Sequence, residues 1–269
     1  MSAFILQTAA WRAGLASEMQ FWQEWVSKKG LDWKKEFDDR INGNANVKHY
    51  LEGLCRKQLS FIQRNVIIDV GAGPITQLST NDTAFKVYAT DPLAAFYKEI
   101  LDGAGIVPPV YTTFATAEDL SSFFAADLAD VVHCGNALDH SFDPIRGIEE
   151  MLVVSKPEGC VVLRHHPNEA QAGGYDGLHQ WNFETREGRF LIWNKDGVCD
   201  VANHFAGIAS CTSYEVNGNV VAVLKKQASG ISYLHGMADK RRRDRLKEIS
   251  EGLMTSLIFD AKAQMVPGR

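Results

Sequence analysis

The stretch that most constrains this chain is "NVIIDVGAGP" at positions 65–74. Val66, Ile67 and Ile68 form a short β-branched run without helical spacing, bounded by Asn65 and Gly71. Such a run predicts a strand buried on both faces. Strands of that kind belong to parallel sheets covered by helices. The Gly71-Ala72-Gly73 turn after it removes side chains where the backbone bends sharply or where a ligand lies against it, as a bound nucleotide does.

The rest of the chain alternates in a way that suits this start. After a short helix or turn near Ile75 to Leu78, strands are predicted at 85–90, from Pro109 to Phe114, at "ADVVHC" and at "GCVVLRHH". Between them lie helices at 93–103, at 117–125 and from Pro144 to Val154. Strands separated by helices imply right-handed crossovers and a doubly wound α/β sheet. The Asn217-Gly218 turn between two β-rich runs signals a hairpin, so the sheet is expected to end in an antiparallel strand.

Three regions follow. Residues 1–64 read as N-terminal helices, with Met19, Phe21, Trp22, Trp25 and Val26 on one stripe and a second helix in "VKHYLEGLCRKQLSFI". Residues 65–230 form the main domain, interrupted at 171–204 by an aromatic insert expected to contain a hairpin. Residues 231–269 read as a charged helical extension. Its run Lys240-Arg241-Arg242-Arg243-Asp244-Arg245 is expected to be a solvated helix face.

A chain of 269 residues with 45% hydrophobic content suffices for one α/β domain with additions. A net charge of −5 argues against overall attraction to nucleic acid or to an anionic membrane. No window approaches the roughly 18 apolar residues of a membrane span, and "MSAFILQTAAWRAG" lacks the layout of a secretion signal. Five scattered cysteines, an odd number, suggest reduced thiols. A soluble cytoplasmic protein is expected, with homodimerisation left open.

The stretch "IIDVGAGP" resembles motif I of the class I S-adenosylmethionine-dependent methyltransferases, a strand ending at an acidic residue before a Gly-x-Gly turn. A dinucleotide oxidoreductase favours G-x-G-x-x-G, and Thr76 stands where its third glycine belongs. Further matches follow in order from Val66 to His166. The resemblance implies that Asp69, Gly71, Ala72, Gly73 and Pro74 border the cofactor and that Asp91, followed by Pro92, holds the ribose diol. It places Glu118 or Asp119 at the adenine, Asn136 and Ala137 at the methionine moiety, and His140 near the reacting methyl. It also implies a seven-stranded, mostly parallel sheet with an antiparallel C-terminal hairpin strand, an N-terminal lid around Trp22 and Trp25, and S-adenosylhomocysteine as product.

Methyl transfer to a hydroxyl needs a proton acceptor, and histidine suits neutral pH. His140 is the first candidate; His166, with its neighbour His165 at the sheet's carboxyl edge, and His179 in the insert follow. No metal is expected, because the adjacent pairs Asp139-His140 and His165-His166 lack recurring ligand spacings. Tyr175, His179, Trp181, Phe183, Phe190 and Trp193 are expected either to line an acceptor pocket or to form the insert's own small core. The expected activity is methylation of oxygen or nitrogen on a small molecule, a sugar-containing or other polar biosynthetic intermediate. "GNALDH" stands where many nucleic-acid and protein amino-methylating enzymes carry N/D-P-P-Y/F. The alternatives are a non-catalytic module that binds the same cofactor, and an NAD-dependent oxidoreductase.

Overall fold

The computed structural model describes residues 8–56 and 64–264. Three helices come first: α1 (Thr8–Ser27), α2 (Lys34–Asn42) and α3 (Val47–Cys55). Then follow β1 (Asn65–Val70), β2 (Phe85–Thr90), α4 (Ala94–Gly103), β3 (Thr112–Thr113), β4 (Ala129–Gly135), α5 (Pro144–Val154) and β5 (Ser155–His165). The insert holds α6 (Glu169–Ala172), β6 (Asn182–Arg186), β7 (Arg189–Trp193), β8 (Val198–Asp200) and α7 (Val201–His204). The chain closes with β9 (Ala209–Val216), β10 (Asn219–Lys226) and α8 (Ile231–Gln264).

The seven strands of the main sheet run in the order β3-β2-β1-β4-β5-β10-β9. β1 pairs in parallel with β2 and β4, β4 with β5, and β2 with β3, whereas β10 is antiparallel to both β5 and β9. Both faces of β1 are buried, Ile68 and Val70 in one core and Ile67 in another, which is why the run is apolar without alternation. In the terminal hairpin Asn217 and Gly218 both take left-handed backbone (φ 48° and 73°), as a two-residue turn of this type requires. Pro144 opens α5, and the Asp143 side chain caps it by accepting from the Arg146 N–H.

The winding departs from simple alternation at its first crossover. Residues 71–84 make turns but no helix, and Ile75 and Leu78 are fully buried. The N-terminal helices cover that face instead: Val47, Leu51 and Leu54 of α3 pack on Ile67, Leu78, Val131 and Val162. Trp25 and Val26 of α1 meet Phe37, Ile75 and Leu101. The second predicted helix thus belongs to the core and ends at Cys55, and residues 57–62 of that stretch lie outside the described residues. The strand expected from Pro109 to Phe114 shrinks to two residues at the sheet edge.

Two expectations are corrected. The insert holds the expected hairpin within a three-stranded sheet, β6-β7-β8, but Trp181, Phe183 and Phe190 enter the main core with Leu163, Val220 and Ala222, neither facing a pocket nor making a core of the insert's own. Burying three large aromatic rings outweighs leaving them at a wet rim. The basic run on α8 is only partly solvated: Arg241 pairs with Glu149 and Glu150 of α5, and Arg245 Nη1 lies 2.9 Å from Asp119 Oδ2. Arg242 Nε donates to the Ser121 carbonyl at 2.7 Å. These cations dock α8 against α5 and against the turn at 117–122, while Lys240 and Arg243 face solvent. Cys55 Sγ lies 3.0 Å from Cys160 Sγ, a contact longer than a disulfide bond, and no helix among the described residues is long and apolar enough to cross a membrane.

Candidate active site

The carboxyl ends of β1, β2 and β4 open onto a cavity of about 750 Å³, roofed by α1 and flanked by the front of the insert. That size suits a small molecule or cofactor. Gly71 and Gly73 both lie in the left-handed region (φ 68° and 67°). A Cβ on Gly71 would sit 2.3 Å from the Ala137 Cβ, and one on Gly73 2.9 Å from the Trp22 ring. Both glycines are therefore required by protein neighbours as well as by backbone conformation. The N–H groups of Gly71 and Ala72 donate to the Thr90 carbonyl at 2.8 and 3.0 Å, fixing the turn on β2. Gly71 and Ala72 line the cavity, whereas Gly73 and Pro74 stand behind its wall.

Asp69 lines the cavity, but its oxygens are already engaged: Oδ1 lies 2.7 Å from His133 Nδ1 and Oδ2 accepts from Thr76 Oγ1. His133 Nε2 in turn lies 3.2 Å from the Tyr50 hydroxyl. This buried chain from α3 through β4 to β1 holds the turn. Asp91, at the end of β2, accepts from the N–H of Leu93 at 2.9 Å and of Gly73 at 3.2 Å, one on each oxygen. Each oxygen keeps a lone pair for a diol. Burial pushes the Asp91 carboxyl up to about 6. Pro92 lines the cavity beside it.

Of the pair after β3, only Glu118 lines the cavity; Asp119 turns away to Arg245 and to Ser122 Oγ at 2.7 Å. Glu118 Oε1 accepts from the N–H groups of Phe142 and Asp143 at 2.9 and 3.3 Å, and burial raises its carboxyl to about 7. Asn136 is held left-handed (φ 50°) and its Oδ1 accepts the His166 N–H at 3.0 Å. Asn136, Ala137 and His166 all line the cavity.

At the same rim the turn Leu138–His140 and the insert bring three groups together. His179 Nδ1 is 2.6 Å from Asp139 Oδ2, His140 Nε2 is 3.1 Å from His179 Nδ1, and His140 Nε2 is 3.4 Å from Asp139 Oδ2. Burial alone would raise the Asp139 carboxyl, yet His140 and then His179 outweigh it and hold it at about 2. The bond to Asp139 raises His179 above the usual imidazole value. His165 is different: fully buried, stacked on Phe183 at 4.3 Å, and depressed by burial to about 3, it is a neutral core residue.

The roof brings Trp11 and Glu18, which the sequence did not single out, beside Trp22, which it did. Trp11 Nε1 donates to the His140 carbonyl at 2.8 Å, and Trp22 Nε1 donates to Glu18 Oε1 at 2.6 Å. That same oxygen stands 3.8 Å from His140 Nδ1. Only the four-residue step from Glu18 to Trp22 hints at this in the sequence. Cavity aromatics come from α1 and the loop after it, Trp11, Phe21, Trp22 and Trp33, and from Phe142 after β4, while the insert contributes His179.

No known family model and no curated protein matches this sequence. Solved structures do. The chain is similar to the 1,6-didemethyltoxoflavin-N1-methyltransferase of Burkholderia thailandensis, a structure with bound 1,6-didemethyltoxoflavin and S-adenosylhomocysteine, at 14% identity over 83% of this chain and 92% of that one (TM-score 0.46). It is similar at 14% identity to a SAM-dependent methyltransferase from Aquifex aeolicus, over 69% of this chain and 91% of that one (TM-score 0.41). A protein described as a methyltransferase of an antibiotic biosynthesis pathway in Anabaena variabilis matches at 22% identity (TM-score 0.36), and the chain spans only 48% of its length, with 48% of this chain covered. The assignment rests on topology: the strand order, β10 alone antiparallel to its neighbours, and a Gly-x-Gly turn leading from β1 to the cavity. The seven-stranded sheet, parallel but for β10, is the architecture implied by the resemblance to the class I S-adenosylmethionine-dependent methyltransferases.

Proposed function

We propose that this protein is an S-adenosylmethionine-dependent methyltransferase acting on oxygen or nitrogen of a small polar acceptor, a sugar-containing intermediate being the first candidate. One observation carries the reading: a single cavity collects the Gly71–Ala72 turn, Asp91, Glu118, His140 and His179, with the buried Asp139 behind the two histidines. When bound, S-adenosylmethionine supplies a methyl carbon on a sulfonium, which the acceptor takes in-line while sulfur keeps the electron pair of the broken bond.

The chain's own residues divide the remaining work. Asp91 presents two acceptor oxygens, already oriented by Gly73 and Leu93, to a vicinal diol. Glu118, poised near neutrality, is available to a purine edge as donor or acceptor. Trp11 and Trp22 of α1 close the cavity and exclude water, which strengthens each polar contact inside it. The histidine cluster assists loss of the acceptor's proton, and His166 lies on the same wall.

The test is transfer of label from methyl-labelled S-adenosylmethionine to panels of sugar, hydroxyl and amine acceptors. Label on one class identifies the acceptor chemistry. Tight cofactor binding with no transfer to any class would favour the non-catalytic module instead.

A further inference from the structure

Asp139, His140 and His179 crowd three donor atoms into one small triangle, with sides of 2.6, 3.1 and 3.4 Å. Protons alone serve this arrangement poorly. If the single Nδ1 proton of His179 goes to Asp139, it is unavailable to His140 Nε2, and any proton on His140 Nε2 then faces the one on His179. Asp139 is fully buried, yet its other oxygen, Oδ1, has no hydrogen-bond partner. A cation at the apex of the triangle satisfies all three donors and the buried charge together.

We infer that Asp139, His140 and His179 form a binding site for a divalent first-row transition-metal ion, with its remaining positions open to the cavity. Ligands about 2.1 Å from one ion, at octahedral or tetrahedral angles, stand about 3.0–3.4 Å from one another; the sides of 3.1 and 3.4 Å fall in that range, and the 2.6 Å side between His179 and Asp139 opens by a few tenths of an ångström when the ion replaces their shared proton. Two imidazoles and one carboxylate suit manganese, iron, cobalt, nickel or zinc rather than magnesium or calcium. Behind the first ligands, Glu18 Oε1 faces the far nitrogen of His140 at 3.8 Å, as outer carboxylates face metal-bound histidines. The sequence-based expectation of no metal looked only at adjacent pairs. The ligands sit 39 and 40 residues apart and meet only because the insert folds back onto the turn after β4.

Resting on the methyltransferase reading, this site narrows the acceptor class. An ion with several open positions favours an acceptor offering two neighbouring oxygens, a hydroxyl beside a carbonyl or a second hydroxyl, over a simple amine. A metal-held hydroxyl is also more acidic than a free one.

The experiment is titration of tag-free, chelator-treated protein with Co²⁺, followed by calorimetry and by visible absorption. The result expected is one ion per chain with micromolar or tighter affinity. His140→Gln and His179→Gln should each weaken binding by at least about 50-fold, while His49→Gln, on the exposed face of α3, leaves it unchanged. Proton NMR of the wild-type Co²⁺ complex should show two sets of shifted imidazole resonances, a readout that needs no variant. Absence of saturable binding, or binding that survives both cluster variants, overturns the site. S-adenosylhomocysteine is titrated into the metal-free protein in parallel, so loss of the cofactor reading and loss of the metal site register separately.

Discussion

The indole of Trp22 lies against Gly73, so close that a Cβ on that glycine would come within 2.9 Å of the ring. The roof helix and the turn after β1 are thereby fitted to one another without a ligand. Gly73→Ala meets two obstacles: left-handed backbone, costing about 1–2 kcal/mol for an L-residue, and a displaced indole. We expect it to destabilise the protein by roughly 1–3 kcal/mol in urea denaturation. In a Trp22→Ala background the penalty should shrink to the backbone part. An equal cost in both backgrounds would mean that the contact carries no energy.

Asp91→Ala should weaken S-adenosylhomocysteine binding by about 1.5–3 kcal/mol, or roughly 10- to 150-fold, because charge-assisted bonds to a diol are lost. Calorimetry on the folded variant reads this directly. Unchanged affinity would remove Asp91 from the ribose site.

The folded-state values of Asp91 and Glu118 stand near 6 and 7, above the ordinary 3.8 and 4.5. Both carboxyls hold their protons more tightly when folded. Their contribution is therefore fully present below about pH 4 and is lost as pH rises through the folded values, of order 3 kcal/mol each. Ligand-free protein should be more stable in urea near pH 5 than near pH 8. Glu118→Gln should flatten the upper part of that slope, and a slope unchanged by this substitution would contradict the assignment.

His140→Ala should slow turnover by at least about 100-fold while leaving S-adenosylhomocysteine affinity within about two-fold. Wild-type turnover in this variant would shift the proton-handling role to His166 or His179.

Much of this was legible in local pattern. Val66 to Ile68, the glycine turn and the Asn217-Gly218 hairpin depend on neighbours in sequence, and each stands where its residues place it. Less was legible where a residue's fate depends on what packs on it. In the sequence Trp181, Phe183 and Phe190 suit a pocket lining or a small core of the insert equally, and only the sheet they belong to, closing over the main core, decides their place. Glu118 and Asp119 are adjacent and chemically alike, and only the docking of Arg245 separates them. After β1 the sequence left a short helix or a turn open, and the chain makes turns there because α3, from far upstream, covers that face.

The central claim is that the cavity below Trp22 binds S-adenosylmethionine. Calorimetric titration of the purified protein with S-adenosylmethionine, S-adenosylhomocysteine and NAD tests it most directly. Micromolar binding of the first two, lost in Asp91→Ala, with no heat from NAD, is the result expected. No binding of either S-adenosyl compound, or a preference for NAD, would contradict it.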